Sequence, residues 1–264
     1  MFSQEAYRHK QLKNISLFKQ KVNLEVNLMK IHRFLIKADL TREEILITDT
    51  AVVDQTRKVL RLKIGERIGL FDGEGNEVLA EILAVEPRSI NVRLVKSNFR
   101  KENNERIVAL YCSILKKSNF ELVVQKATEV GVSRIIPIVT KRTVKLNLKI
   151  ERLAKIATEA AEQSGRRFVS EIKEITQFAE AVEYSSRKDI NILFEENGDP
   201  LKFSDKQLSN REKHVGIWIG PEGGWADEEI VLARKFSFKI VSLGHFTMRA
   251  ETAAIIAAYL SVQS

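Results

Sequence analysis

From residue 106 onwards, short apolar runs typical of β-strands alternate with longer segments that have helical spacing. The strand-like runs are IVALYCSI, RIIPIV, INILFE, HVGIWIG and FKIVSLG, and the helical patterns fall near residues 119–130, 149–164, 226–236 and 251–262. Alternation of this kind indicates a largely parallel sheet with helices packed against it. The second part of the chain is therefore predicted to be an α/β domain.

Two of these helices carry further signals. Ser118 and Glu121 have the spacing of a capping box, which predicts where the first helix begins, and Gly131 predicts where it ends. The last helix, ETAAIIAAYLSV, is apolar nearly all round, so we expect it to be buried.

The first part of the chain has a different rhythm. Short strand-like runs separated by turns cover residues 30–96 and predict a small β-barrel. Residues 1–29 form a polar, basic extension, and the charged stretch KSNFRKENNER at 96–106 has the composition of a linker. We therefore predict an extension at 1–29, a barrel domain at 30–96 and an α/β domain at 106–264.

Composition narrows the classes of function. The net charge of +8 favours a polyanionic partner such as RNA or DNA. The single cysteine, Cys112, rules out an internal disulfide and a multi-cysteine zinc site, and its apolar neighbours predict a core position. The chain has neither an apolar run of membrane-spanning length nor the apolar core of a signal peptide, so a cytoplasmic location is expected.

Three predicted strands end in unusual junctions. GIWIG runs into PEGGW, KIVSLG runs into HFTMRAETA, and NILFE ends at the sequence EENG. Ligands of open α/β sheets bind at the carboxyl ends of the strands, and glycine lets a ligand approach the backbone closely. The three loops predict one shared ligand site, although each taken alone could be only a sharp turn. The sequence has no P-loop, no dinucleotide fingerprint after a strand, no G-x-S-x-G serine and no metal-ligand spacing of histidines.

These junctions carry a family resemblance. IGPEGGW followed by SLGHFTMRAETAA is similar to the C-terminal signature of the bacterial 16S ribosomal RNA uridine-N3 methyltransferases, the ribosomal RNA small subunit methyltransferase E family of the SPOUT superfamily. Further matches lie in the family's order: HRFLI and KVLRLKIGE, then KKSNFELVVQKATEVGVSRIIPI, then EAAEQSGRR. The resemblance covers the chain from about residue 31 to its end.

The resemblance implies a PUA-like β-barrel that assists RNA binding and a SPOUT α/β domain with a deep trefoil knot, a rare exception among folds. It also implies a homodimer that uses S-adenosylmethionine to methylate N3 of a specific uridine in 16S ribosomal RNA. By position, the cofactor-facing residues would be Leu193, Phe194, Glu195, Gly220, Glu222, Gly223, Gly224, Leu243, Gly244, Met248, Arg249, Glu251, Thr252 and Ala253.

The chemistry of the implied reaction predicts catalytic residues. Uracil N3 must lose a proton to become a good nucleophile, and a nearby positive charge favours the ionised form. Arg249 and Arg166 are candidates for that charge, and Glu251 and Glu162 are candidates for the base, with solvent hydroxide as an alternative. Each also has a structural interpretation. Glu162 and Arg166 could form a surface ion pair. Glu251 could be a residue of the first helical turn that the helix dipole favours, and Arg249 could brace its loop.

Two basic groups are candidates for RNA contact. Arg57, Lys58, Arg61, Lys63 and Arg67 are predicted to lie on or beside one barrel strand, and Lys116, Lys117, Lys141, Arg142 and Lys145 lie near the catalytic half. Lysine and arginine contact phosphates without reading the base sequence. A solvated basic face is the alternative.

The chain departs from the family in its last motif. Where relatives usually have an arginine-containing run after the glycine, His245 and Phe246 come first here, although Arg249 is present. Two other functions therefore stay open: a SPOUT methyltransferase that acts elsewhere, for example on a transfer RNA ribose, and a non-catalytic RNA-binding factor in ribosome assembly.

Overall fold

The computed structural model describes most of the chain from residue 31 onwards. The predicted extension at 1–29 and Lys145 lie outside the described residues. The described residues are 31–98, 106–144, 147–187, 190–200 and 214–263.

The first part of the chain forms one five-stranded sheet. Its strands pair in the order β1-β3-β4-β5-β2, and the pairs are antiparallel except for the parallel pair β1–β3. Alternate residues of β4 are fully buried, as a strand with one face on a core requires. The strands are β1 (His32–Leu35), β2 (Glu44–Ile47), β3 (Arg67–Phe71), β4 (Glu77–Val85) and β5 (Ile90–Asn98).

A helical segment separates β2 from β3. Helix α1 (Thr50–Asp54) begins after Asp49, whose carboxylate accepts hydrogen bonds from the backbone N–H groups of Ala51 and Val52, and a π-helical turn (Gln55–Val59) follows. The predicted placement of the first basic group on or beside one strand is therefore wrong for Arg57 and Lys58, which lie on this turn. The cap and the helical spacing of the buried Val52, Val53 and Thr56 explain the difference.

The second part of the chain forms a parallel sheet. Its strands pair in the order β12-β10-β11-β6-β7-β8, and β9 also pairs with β7. The pairs described in this sheet are parallel. The strands are β6 (Ile107–Ser113), β7 (Arg134–Val139), β8 (Glu171–Ile172), β9 (Thr176–Gln177), β10 (Ile190–Pro200), β11 (His214–Ile219) and β12 (Lys239–Ser242).

Helices cover both faces of this sheet. Val108, Leu110 and Cys112 of β6 pack with α2, α3 and α6, whereas the alternate residues Ala109 and Tyr111 pack with α4 and α5. Because side chains alternate between the faces of a strand, one apolar strand serves two cores. The predicted α/β domain is confirmed; the knot stays a prediction. The helices are α2 (Lys117–Val130), α3 (Ile150–Ser164), α4 (Phe178–Ser185), α5 (Asp227–Lys235) and α6 (Ala250–Gln263).

Cys112 is fully buried, as expected, and burial raises the pKa of its thiol. Within the described residues, no helix combines the length and the apolarity that a membrane span needs.

The helix signals are confirmed in part. Gly131 ends α2 in the left-handed conformation, with φ of 117°. The capping box is wrong, because Lys116 is the N-cap and Ser118 Oγ bonds the neighbouring Asn119 side chain instead. The prediction that the last helix is buried is also wrong for one face of α6, where Tyr259 is 53% exposed.

Candidate active site

A cavity of about 570 Å³ opens where β10, β11 and β12 end or change register. This volume lies in the range of small-molecule sites. Three chain segments form most of its wall: Phe194–Glu196, Ile219–Trp225 and Ser242–Ala253. The junctions that the sequence singled out therefore do converge. The predicted cofactor-facing residues that line the cavity are Phe194, Glu195, Gly220, Glu222, Gly224, Leu243, Gly244, Met248, Arg249, Glu251 and Ala253.

Three other predicted cofactor residues do not line the cavity. Leu193 is fully buried in the core on the α4 and α5 side of the sheet. Gly223 lies against Arg142, and Thr252 is exposed on α6. Strand alternation explains Leu193, because its neighbour Phe194 takes the side that reaches the cavity.

The glycine-rich segment is built around Trp225. A tight turn closes with a hydrogen bond of 2.9 Å from Gly224 N to Pro221 O, and Gly224 has φ of 71°. The buried indole of Trp225 then lies against Gly220, where a Cβ atom would stand 3.1 Å from the ring. A side chain at residue 220 would therefore press on the indole, and the peptide group of Gly220 remains next to the cavity.

Glu222 connects this segment to α2. Its Oε1 accepts a hydrogen bond of 3.3 Å from the backbone N–H of Lys116, the N-cap residue of α2. That helix end has no side-chain cap of its own, so a carboxylate beside it is favoured by the helix dipole. Glu222 thus braces the loop against a neighbouring helix while it lines the cavity.

The segment after β12 is held at several points. Ser242 Oγ accepts a hydrogen bond from Gly244 N at 3.3 Å, and Gly244 has φ of 144°. Thr247 Oγ1 donates a hydrogen bond to the carboxylate of Glu196. Arg249 is exposed at the cavity and directly precedes α6.

Glu251 lies in the first turn of α6 and is only 8% exposed. Its Oε2 is buried and has no hydrogen-bond partner among the described residues. Buried polar atoms are normally paired, so this oxygen requires an explanation. Because Glu251 lines the cavity, a ligand that donates a hydrogen bond or carries positive charge would supply the missing partner.

Glu195 is a second carboxyl group at the cavity with an altered environment. Burial raises the pKa of Glu195, and the neighbouring Glu196 charge raises it further, while the backbone N–H of Glu196 opposes the shift. Arg142 lies close enough to lower the pKa to a smaller extent. A raised pKa makes Glu195 a stronger base than an ordinary carboxylate.

Two further residues hold the site, and sequence reasoning missed both. The indole N–H of Trp225 donates a hydrogen bond of 2.9 Å to Phe194 O, which joins two of the three segments. The buried carboxylate of Glu229 accepts hydrogen bonds of 2.8 Å from Ala226 N and Lys141 N, which joins the start of α5 to the chain after β7. The sequence signals for them were weak: Trp225 is a large apolar residue directly after the glycine turn, and Glu229 is a carboxylate four residues further on.

The second basic group lies beside the cavity. Lys116 lines the cavity, and Arg142 Nη1 donates a hydrogen bond of 2.7 Å to Gly223 O. Lys141 pairs with Glu228 of α5, and Lys117 begins α2.

Two predicted catalytic residues, Glu162 and Arg166, do not line the cavity. Arg166 is buried, and its guanidinium donates hydrogen bonds to Thr128 O at 2.7 Å and Gly131 O at 3.3 Å. It thereby closes the end of α2. The alternative interpretation of a surface ion pair does not hold either, because Arg166 is buried and Glu162 Oε1 accepts a hydrogen bond of 3.0 Å from Leu35 N in the small sheet.

Glu162 belongs to the contact between the small sheet and α3. Burial raises the pKa of Glu162, and the hydrogen bond from Leu35 N opposes that shift. Next to it, Arg33 of β1 bonds Glu77 at 2.7 Å and Ala161 O at 3.0 Å, while Arg167 bonds Glu77 at 3.0 Å. Long polar side chains therefore join the small sheet to α3 and to the chain that follows it.

Comparison with known proteins identifies the family. A family model described as an RNA methyltransferase domain matches residues 101–261, and one described as an RNA methyltransferase PUA domain matches residues 57–95. The ribosomal RNA small subunit methyltransferase E of Rickettsia conorii is 32% identical over 237 residues, which are 87% of this chain and 94% of the relative. The chain belongs to the ribosomal RNA small subunit methyltransferase E family. The resemblance inferred from the motifs is thus confirmed.

Solved structures agree with membership of the methyltransferase E family. The family member from Neisseria gonorrhoeae, bound to S-adenosyl methionine, has a TM-score of 0.76 and 27% identity, with 86% of this chain and 95% of that chain covered. A methyltransferase from Legionella pneumophila in complex with the same cofactor has a TM-score of 0.80 and 26% identity, with 89% and 98% covered. The predicted SPOUT α/β fold with a small PUA-like domain is confirmed.

Proposed function

We propose that this protein transfers a methyl group from S-adenosylmethionine to N3 of a specific uridine in the 16S ribosomal RNA of the small subunit. The observation that carries the proposal is the cavity, which three segments, two of which contain glycine, form at the carboxyl ends of the strands. The domain bounds predicted from the sequence, 30–96 and 106–264, are part of the same proposal. We place the reaction in the cytoplasm, where ribosomal subunits assemble.

The residues around the cavity fit the cofactor. S-adenosylmethionine supplies a methyl group on a positively charged sulfur. The lining has four carboxylates, Glu195, Glu196, Glu222 and Glu251, against two cations, Lys116 and Arg249, so it favours a positively charged ligand. The unpartnered Oε2 of Glu251 offers that ligand an acceptor. Gly244 leaves its backbone open, because a Cβ built there would meet nothing within 4 Å.

We assign to Arg249 the stabilisation of the negative charge that develops on the uracil. Uracil is a weak acid at N3, and a guanidinium beside it would favour the uracilate anion. Of the two arginines predicted for this role, Arg249 lines the cavity, and Arg166 is committed to the end of α2. Positioning supplies the rest of the acceleration, because displacement needs nucleophile, methyl carbon and sulfur in line.

Glu195 and Glu251 are the candidate proton acceptors in the cavity. The raised pKa of Glu195 favours it as a base. Glu251 has the unpartnered oxygen that could accept the proton or orient the cofactor. Glu162 contacts Leu35 instead, so it has no part in this scheme.

Exposed basic residues on both sheets support contact with RNA. Lys116 lines the cavity, Arg142 lies beside it against Gly223, and Arg61, Lys63 and Arg67 are exposed on the small sheet or the chain that leads to it. Arg57 and Lys58 are less available, because Arg57 bonds Pro87 O and Lys58 pairs with Asp54. Phosphate contacts of this kind weaken with added salt.

A homodimer is the assembly we propose. Thr252, Ile255, Ile256 and Tyr259 follow helical spacing on α6, and all four are exposed or only partly buried. An apolar helix face that begins at the cavity supports an interface with a second copy beside the site.

The experiment is methyl transfer to unmodified small ribosomal subunits. Purified protein is incubated with labelled S-adenosylmethionine and these subunits, and the nucleosides of the 16S RNA are then identified by mass spectrometry. We expect labelled 3-methyluridine at one position. A label on a ribose, or on transfer RNA offered in parallel, would replace the proposal with another activity.

A further inference from the structure

Phe246 is a solvent-exposed aromatic residue at the cavity. Its side chain lines the cavity wall, yet 85% of the residue is exposed. Burying a phenylalanine normally stabilises a protein, so exposure of this ring forgoes that stabilisation. Single exposed apolar residues are common on protein surfaces. An exposed aromatic ring at the mouth of a cavity, however, is placed to contact a ligand that enters it.

The loop that carries Phe246 is braced on both sides of the ring. Before it, Ser242 Oγ accepts a hydrogen bond from Gly244 N at 3.3 Å. After it, Thr247 bonds the carboxylate of Glu196 on the opposite segment. The backbone around residue 246 is therefore anchored, and the ring extends from a defined position at the edge of the cavity.

The proposed reaction requires an unpaired uracil at this edge of the cavity. N3 lies on the Watson–Crick edge of uracil, so the target uridine must be unpaired when its methyl group arrives. Enzymes that modify a base act on single-stranded RNA or take the base out of its stack, and proteins hold such bases on aromatic side chains.

We propose that Phe246 is a stacking platform for an unpaired base of the RNA substrate at the mouth of the cavity. This inference rests on the proposed function and adds a residue that receives the RNA. The charges around the ring support a base rather than a phosphate as its partner. Glu195, Glu196 and Glu222 outnumber Lys116 and Arg249 at the wall, which disfavours a phosphate against the ring itself, whereas a nucleobase carries no net charge.

Substitutions at residue 246 separate the ring from mere apolar bulk. Phe246→Ala and Phe246→Leu both remove the π face, and leucine keeps an apolar side chain of similar reach. Phe246→Tyr keeps the ring and serves as the matched control. We expect the KM for small subunits to rise about 5- to 150-fold in the alanine and leucine variants, the range for one stacked base. The tyrosine variant stays within about threefold, and in the alanine and leucine variants the calorimetric Kd for S-adenosylmethionine changes far less than the KM for small subunits.

A fluorescence measurement tests stacking without turnover. Phe246→Trp adds an exposed indole to a chain whose two tryptophans, Trp218 and Trp225, are buried. Oligouridylate should quench the fluorescence of this variant beyond the change seen in the wild type. Inorganic polyphosphate, a polyanion without bases, should not.

Three results would overturn the proposal: a wild-type KM in Phe246→Ala, equal quenching by polyphosphate, or a loss of RNA affinity that follows dimer dissociation in light scattering. In the last case Phe246 belongs to an interface with a second copy. If the wild type methylates no uridine but oligouridylate still quenches Phe246→Trp, the proposed function fails while the stacking site stands.

Discussion

The indole nitrogen of Trp225 donates a hydrogen bond of 2.9 Å to the carbonyl oxygen of Phe194. This bond is buried and joins the glycine-rich segment after β11 to the segment within β10. Trp225 also packs on Gly220 and lines the cavity, so one side chain sets the distance between two walls of the site.

Trp225→Phe should therefore weaken cofactor binding. It keeps an aromatic ring but leaves Phe194 O without its donor, at a cost of about 1–3 kcal/mol. We expect the calorimetric Kd for S-adenosylmethionine to rise about 5- to 50-fold. Trp218→Phe is the matched control, because Trp218 loses a buried bond of 2.8 Å to Asn191 but does not line the cavity. Equal effects of the two substitutions on cofactor affinity would show that only global stability had changed.

Arg249→Ala should separate binding from chemistry. Loss of a positive charge that stabilises the uracilate anion should lower kcat about 100-fold, as removal of one donor to a developing anion does in other enzymes. The Kd for S-adenosylmethionine should change by less than about threefold. Arg234→Ala, on the exposed part of α5 away from the cavity, provides the control. Wild-type turnover in Arg249→Ala would leave this arginine only the role of bracing its loop.

Arg166→Met should lower stability and leave the site intact. The substitution removes the donor to Thr128 O and Gly131 O at the end of α2, so we expect a loss of about 2–4 kcal/mol in the free energy of unfolding. Chemical denaturation measures the loss, and cofactor affinity of the folded variant should match the wild type. A large drop in methyl transfer with unchanged stability would instead restore the catalytic role predicted from the sequence.

Glu162 should make stability depend on pH. Because its pKa is raised in the folded protein above the ordinary glutamate value of 4.5, the folded state binds more protons than the unfolded state while Glu162 titrates. The stabilising effect of protonated Glu162 is therefore full below that value and is lost as pH rises through the raised pKa. Glu162→Gln keeps an acceptor for Leu35 N without the charge. Denaturation curves at pH 4 to 7 should show a flatter dependence in this variant; parallel curves for both proteins would contradict the prediction.

The sequence predicted where the site is because local patterns decide it. Glycines at the ends of GIWIG and KIVSLG mark strand ends, and the carboxyl ends of parallel strands share one edge, so the three junctions had to meet. The motifs around them were long enough to identify the family.

The partners of long polar side chains could not be predicted in this way. Arg166 and Glu162 lie four residues apart, which suggested a pair, but one bonds the end of α2 and the other bonds β1 in a different sheet. Periodicity tells which face a residue takes, and gives no information on what lies opposite that face. Trp225 and Glu229 were missed for the same reason, since their partners Phe194 and Lys141 are distant in sequence.

Amide hydrogen exchange with and without S-adenosylmethionine tests the central claim most directly. A bound ligand slows exchange where it contacts or orders the backbone. We predict slower exchange in residues 194–196, 220–225 and 243–253, and no change in the small sheet at 67–95. Protection confined to other segments, or no protection at saturating cofactor, would contradict the assignment of this cavity as the methyl-donor site.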